Sequence, residues 1–136
     1  MSIPAEQRSI LISHRLDSAR EALDDARVLR GRQSLRGAAN RIYYAMFHAV
    51  SALALDRQVS YKTHSGLIAF FQRDFVKAGV FDRSHGRALQ KAFEDRSDAD
   101  YDDIINISEE QIDRRLDEAV RFVDAIALSL ADKPPQ

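Results

Sequence analysis

The chain has 136 residues, 45% of them hydrophobic and 30% charged, with a formal net charge of −1 and no cysteine. That length suits one domain of ordinary soluble composition, and the near-zero charge excludes the strongly basic footprint of a general nucleic-acid binder. Disulfides and thiolate metal sites are excluded, and with no leader-like start and no apolar run near the ~18 residues of a membrane span, a cytoplasmic protein without membrane contact is expected.

Apolar residues recur at spacings of three and four along nearly the whole chain, and strand signals are almost absent. A first helix is predicted from Pro4, a residue suited to the first helical position. It carries Leu11, Ile12, Leu16, Ala19, Leu23, Ala26 and Leu29 on one stripe, until residues 30–34 break it. Ser34 reads as the N-cap of a second helix ending near Leu55. Thr63 caps a third, with Leu67, Ile68, Phe70, Phe71 and Phe75, which stops before Gly79. Asp82 opens a fourth, with Leu89 and Phe93 on its core face. Ser108 and Gln111 form the pattern of a capping box for a fifth that runs through Ile112, Leu116, Val120, Val123, Ile126 and Leu130. The expected architecture is an all-α, up-and-down bundle of about five helices, one domain over residues 1–131. Residues 132–136, with Pro134 and Pro135, read as a flexible tail.

The chemistry concentrates on the second helix. Arg41 and His48 are seven residues apart, two helical turns less about 20°, so both point the same way roughly 10 Å apart along the axis. Tyr44 lies between them on the same face. A fixed cation, a phenol and an imidazole in one column can hold a phosphate and move a proton. The bland alternative is a solvated polar stripe. The rest of this helix is apolar over most of its circumference: Ile42, Ala45, Met46, Phe47, Ala49, Val50, Ala52, Leu53 and Leu55. Such a helix is buried, which places Arg41, Tyr44 and His48 at the edge of a core or in an interface.

A half-buried arginine needs an anion, and none is near in sequence. Residues 26–55 hold five arginines and no acid, a net of +5, whereas residues 94–118 hold eleven acids and three arginines, a net of −8. The anion for Arg41 must come from elsewhere in the fold, a partner or a ligand phosphate. The split suits an anion site or a complementary interface, and equally two helix faces that pair within one fold. The four histidines, His14, His48, His64 and His85, stand on different segments without metal-ligand spacing, so no metal or other cofactor is expected.

The segment from Asn40 to His48, Asn-Arg-Ile-Tyr-Tyr-Ala-Met-Phe-His, resembles the motif of the HEPN domain, a small helical bundle. Lys62-Thr63-His64-Ser65-Gly66-Leu67-Ile68 with Phe75-Val76-Lys77-Ala78-Gly79 resembles the next block of prokaryotic HEPN proteins. Arg96-Ser97-Asp98-Ala99-Asp100-Tyr101 resembles the block that closes the fourth helix. The likeness covers roughly residues 10–127, in order. It implies a metal-independent endoribonuclease with Arg41 and His48 as the catalytic pair. It also implies a homodimer whose two motifs face one cleft, and a toxin neutralised by a nucleotidyltransferase (MNT) antitoxin. Other family members are viewed as non-catalytic modules that bind a nucleotide or dock a nucleotidyltransferase, and that remains the alternative.

Asn40 would orient Arg41 or touch a phosphate, Tyr44 would hydrogen-bond phosphate or stack a base, and Asp100 and Tyr101 would steer the arginine or cap the fourth helix. Tyr43 is expected in the core, His64 as local structure at a helix start, and His14 and His85 in solvent. The sequence departs from a subset of HEPN toxins in having Val50 two residues after the motif histidine, where that subset carries the tyrosine that accepts AMP. Inhibition by adenylylation at that position is therefore not expected.

Overall fold

A computed structural model describes the backbone of residues 3–101 and 106–131, and their side chains except those of 100 and 101. Among the described residues there are five α-helices: α1 Ala5–Gly31, α2 Leu35–Arg57, α3 His64–Phe71, α4 Arg83–Tyr101 and α5 Glu109–Ala131. No strand occurs among the described residues, so the bundle expected from periodicity is the one that forms. The expected tail, residues 132–136, lies outside the described residues.

The helix ends show which local signals act. Thr63 Oγ1 accepts from the Gly66 N–H at 2.9 Å, and Asp82 Oδ2 from the Ser84 N–H at 2.9 Å; each satisfies a donor that the first turn leaves unpaired. Ser34 stands at the N-cap of α2 but its hydroxyl makes no capping bond. Its ψ of 76° falls short of the extended geometry that aims a cap oxygen at the first turn. The Ser108–Gln111 box is half formed. Ser108 Oγ accepts from the Gln111 N–H at 3.0 Å, while the Gln111 amide instead reaches Asp95 Oδ1 on α4 at 3.3 Å. The run after α3 does not stop at Phe71. It widens into a π-helical segment, Gln72–Lys77, that buries Phe75, and turns at Gly79, where φ is +81° and a side chain would be strained.

α2 is the central helix, packed against α1, α3, α4 and α5. Its Ile42, Tyr43, Met46, Val50 and Leu53 are fully buried. Its most extensive partner is α1, which presents Ala19, Ala22, Leu23 and Ala26; small side chains let two backbones approach closely. The far end of the core is aromatic. Phe71 stacks on Phe75 and Phe81 at 5.9 and 5.7 Å and meets Phe122 of α5 at 5.1 Å. Each buried ring contributes about 1.5–3 kcal/mol by leaving water.

Part of the charge split closes on itself. Arg30, at the end of α1, binds Asp113 through two bonds of 2.7 and 3.1 Å and lies 3.5 Å from Glu109 at the start of α5. The Arg115–Asp95 pair, at 2.8 Å with side chains 11% and 14% exposed, is the most enclosed ion pair among those described. No helix among the described residues is long and apolar enough to cross a membrane.

Candidate functional site

One strip of α2 is left half-covered by its neighbours. Asn40, Arg41, Tyr44, Phe47, His48 and Ser51 are all half-buried, while the residues between them are buried. Arg41 and His48 line one small pocket of about 200 Å3, closed on its other side by Ser18, Glu21, Ala22 and Asp25 of α1. The packing of α1 on α2 thus puts two carboxylates, Glu21 and Asp25, on the wall of the pocket that Arg41 lines. The column Ser18, Glu21, Asp25 is visible in the sequence at helical spacing. Which face of α1 meets α2 is not, and that is why these residues were missed.

Within the pocket Arg41 is held by its neighbour: Nε and Nη2 donate to Asn40 Oδ1 at 3.0 and 2.8 Å. Of the two roles considered for Asn40, orienting Arg41 is the one the geometry contains. The guanidinium also lies over the Tyr44 ring, 5.1 Å from its centroid. His48 has its Nδ1 buried without a hydrogen-bond partner, so Nε2 is the nitrogen a ligand can reach. Burial is the main cause that holds the His48 pKa below its ordinary value, followed by the positive fields of Arg15, Arg41 and His14. A neutral imidazole beside a fixed cation can accept a proton from a group that a phosphate brings to it.

Tyr44 is a divider between this pocket and a second group of side chains. Its ring centroid lies 6.4 Å from His48 and 5.8 Å from His64. Arg96 of α4 approaches Tyr44 Oη at 3.4 Å, with its guanidinium carbon 5.6 Å from the ring. His64 stacks on Phe47 at 4.4 Å, and its Nδ1 is 2.7 Å from the hydroxyl of the buried Tyr43. The sequence placed Tyr43 in the core and His64 in local structure. Tyr43 is buried as expected, whereas His64 is tied to α2 through Tyr43 and Phe47 rather than to its own turn, and the sequence did not bring His64 and Arg96 to Tyr44. Asp100 and Tyr101 fall at the end of α4, and their side chains lie outside the described residues. His85, expected in solvent, is half-buried, because Phe81 and Phe122 of α5 lie edge-on to its ring at 6.2 and 5.9 Å. Val50 is buried, so the position where some HEPN toxins are modified offers neither hydroxyl nor access.

A wider groove of about 900 Å3 lies elsewhere, between residues 72–82 and the first turns of α4, with Lys77, Arg83 and Arg87 on its rim. No histidine lines it, so it offers no counterpart to the Arg41–His48 pair. Among the described residues no three His, Asp or Glu side chains cluster as metal ligands.

The electrostatics give a checkable pH dependence. NMR titration should place the His48 midpoint below about 6.5, and Arg15→Ala should move it upward by removing a repelling cation. A midpoint above 6.5 would mean that Glu21 or Asp25 dominates instead. His64 is also held below its ordinary value, by burial and then Arg96. For both histidines the folded pKa is below the unfolded one, so the unfolded chain takes up protons first as pH falls. Their contribution to stability is present above pH ~6.5 and is lost toward the folded values. The urea midpoint should accordingly be lower at pH 5.5 than at 7.5.

The model of the HEPN domain matches residues 12–129. The chain is 41% identical over 114 residues to a Thermotoga maritima protein named "UPF0332 protein", covering 84% of this chain and 86% of the relative. It is 34% identical over 117 residues to "Putative toxin MJ0605" of Methanocaldococcus jannaschii, covering 86% and 87% of the two chains. It is 30% identical over 118 residues to "Putative toxin MJ0142" of the same organism, covering 87% and 80%.

Proposed function

Because the chain belongs to the HEPN domain family, we propose that it is a metal-independent endoribonuclease, the toxin of a pair with a nucleotidyltransferase antitoxin. One observation carries the reading: Arg41 and His48 share a pocket in which the imidazole is held neutral and Nε2 is the nitrogen left for a ligand. The names of the two Methanocaldococcus jannaschii relatives support the toxin role.

RNA carries its own nucleophile beside each phosphate. In the proposed step His48 takes the proton from the 2′-hydroxyl, O2′ bonds to phosphorus, and the bond from phosphorus to O5′ breaks. The leaving oxygen takes a proton from a second imidazole, which enters the step protonated, as imidazolium. Arg41 balances the charge that grows on the phosphorane oxygens, a task its planar fork fits. General base and general acid are two jobs, so a two-fold homodimer that sets His48 of both copies in one cleft completes the set. The half-covered strip of α2, with Tyr44 and Phe47 exposed in part, is the surface such a dimer would close.

A second reading has its own observation. Glu21 and Asp25 line the same pocket, and carboxylates there would compete with a phosphate for Arg41, as suits a non-catalytic module that binds a nucleotide or docks a nucleotidyltransferase. Cleavage in chelator separates the two. In EDTA the purified protein should cut single-stranded RNA and leave a 2′,3′-cyclic phosphate and a 5′-hydroxyl, and a 2′-deoxy residue at the cut site should block the cut. No cleavage, or cleavage that vanishes with chelator, sinks the nuclease reading.

A further inference from the structure

We propose that His64 and Arg96 form a second phosphate subsite, across the Tyr44 ring from Arg41 and His48, which holds the phosphate next to the one being cut. The inference rests on the nuclease reading for its register, and on the following geometry for its chemistry.

Tyr43 is fully buried, and burial, with Tyr44 adding to it against Arg96, pushes its pKa above the ordinary value. The phenol therefore keeps its proton. Its described hydrogen-bond partner is His64 Nδ1, at 2.7 Å; a buried hydroxyl needs an acceptor for its proton, and in the proposed arrangement it donates and Nδ1 accepts. A neutral imidazole with Nδ1 accepting carries its proton on Nε2. His64 is thereby fixed as a donor with no lone pair at Nε2 to take a proton. That is the wrong tautomer for a general base and the right one for hydrogen-bonding an anion. The stack on Phe47 fixes the ring plane.

Arg96 adds a permanent cation to this donor. It reaches Tyr44 Oη and lies over both Tyr43 and Tyr44, and it is close enough to help hold His64 neutral. Among the described residues, burial and then Arg96 are what lower the His64 pKa, while Glu21 and Asp25 line the Arg41 pocket. Tyr44 thus separates two cation–imidazole pairs of different character. Arg41–His48 has a buried Nδ1 and a reachable Nε2, and Arg96–His64 has its tautomer locked by Tyr43. A strand running past Tyr44 would meet one pair with the reacting phosphate and the other with its neighbour.

The test uses the full chain and two probes. In the first, wild-type protein is titrated with a 2′-O-methyl hexanucleotide, which cannot be cut, and the imidazole signals are followed by NMR. Both His48 and His64 should shift. A shift of His48 with His64 unmoved overturns the subsite and leaves the Arg41–His48 reading standing; no shift of either overturns both. AMP at the same concentrations should shift His64 far less, and an equal shift by AMP would overturn the assignment to a strand phosphate.

In the second, the substrate is a DNA oligonucleotide with one ribonucleotide to fix the cut position. A neutral methylphosphonate replaces one neighbouring phosphate at a time. For wild type one of the two replacements should lower kcat/KM about tenfold, the scale of a lost hydrogen bond to a charged group. His64→Gln should lose about the same with the normal substrate and show no further penalty from the methylphosphonate. A His64→Gln deficit that is equal on charged and neutral substrates marks a structural role and overturns the proposal. Arg96→Gln gives the same comparison if His64→Gln does not fold. If both histidines shift but nothing is cut, the subsite stands and the nuclease reading fails.

Discussion

Replacing His48 by alanine should lower the rate of RNA cleavage by about 10²–10⁴, the range for loss of a positioned acid–base group, while RNA affinity changes little. The substitution removes a proton carrier that is neutral near pH 7 and so takes no permanent charge from the site. Arg41→Ala should damage both steps. Losing one preorganised contact to the developing charge costs about 10²–10³ in rate, and the lost cation weakens binding as well. Arg41→Lys keeps the charge but loses the bidentate fork that Asn40 Oδ1 now orients, so it should restore binding more than rate. Each variant should remain folded, since both side chains are half-buried on the strip rather than in the core. If His48→Ala unfolds the protein, His48 is a structural histidine packed against Tyr44 and Phe47. If it folds and cuts at the wild-type rate, the catalytic assignment is wrong.

Much of the fold was legible because helices announce themselves locally. The first helix, the Thr63 cap and the Asp82 cap depend on residues within one or two turns and form as read, although Leu11, at the outer end of the α1 stripe, is exposed. The misreadings come from longer reach. Gln111 has the spacing of a capping-box partner, yet its amide is used by Asp95 sixteen residues away. His85 is expected in solvent, yet Phe81 four residues before it and Phe122 of α5 both pack against its ring.

The site divides in the same way. Arg41, Tyr44 and His48 share a helix, so their common face follows from 3.6 residues per turn. Asn40 is adjacent, and only its role was open. Glu21, Asp25, His64 and Arg96 come from α1, α3 and α4. Their approach to the α2 strip depends on which faces pack, a question that helical period cannot answer. The charge split was read correctly as polarity, and its resolution through Arg30 with Asp113 and Glu109 required the antiparallel placement of α1 and α5 ends.

The claim that one cleft uses His48 from two copies makes a sharp demand on a mixed dimer. Two copies of the chain can be joined in tandem by a flexible linker, one with His48 intact and one with His48→Ala, and purified as the single tandem species. In independent sites each intact copy would work alone, and the mixed tandem would keep half the activity of the wild-type tandem. In a shared cleft the acid or the base is missing whichever copy carries the change. Single-turnover cleavage of RNA in EDTA by the mixed tandem is therefore the decisive measurement. A rate about 10²–10⁴ below that of the wild-type tandem, close to that of the doubly substituted tandem, is the expected result. A rate near one half of wild type would contradict the shared cleft and assign the chemistry to each chain separately.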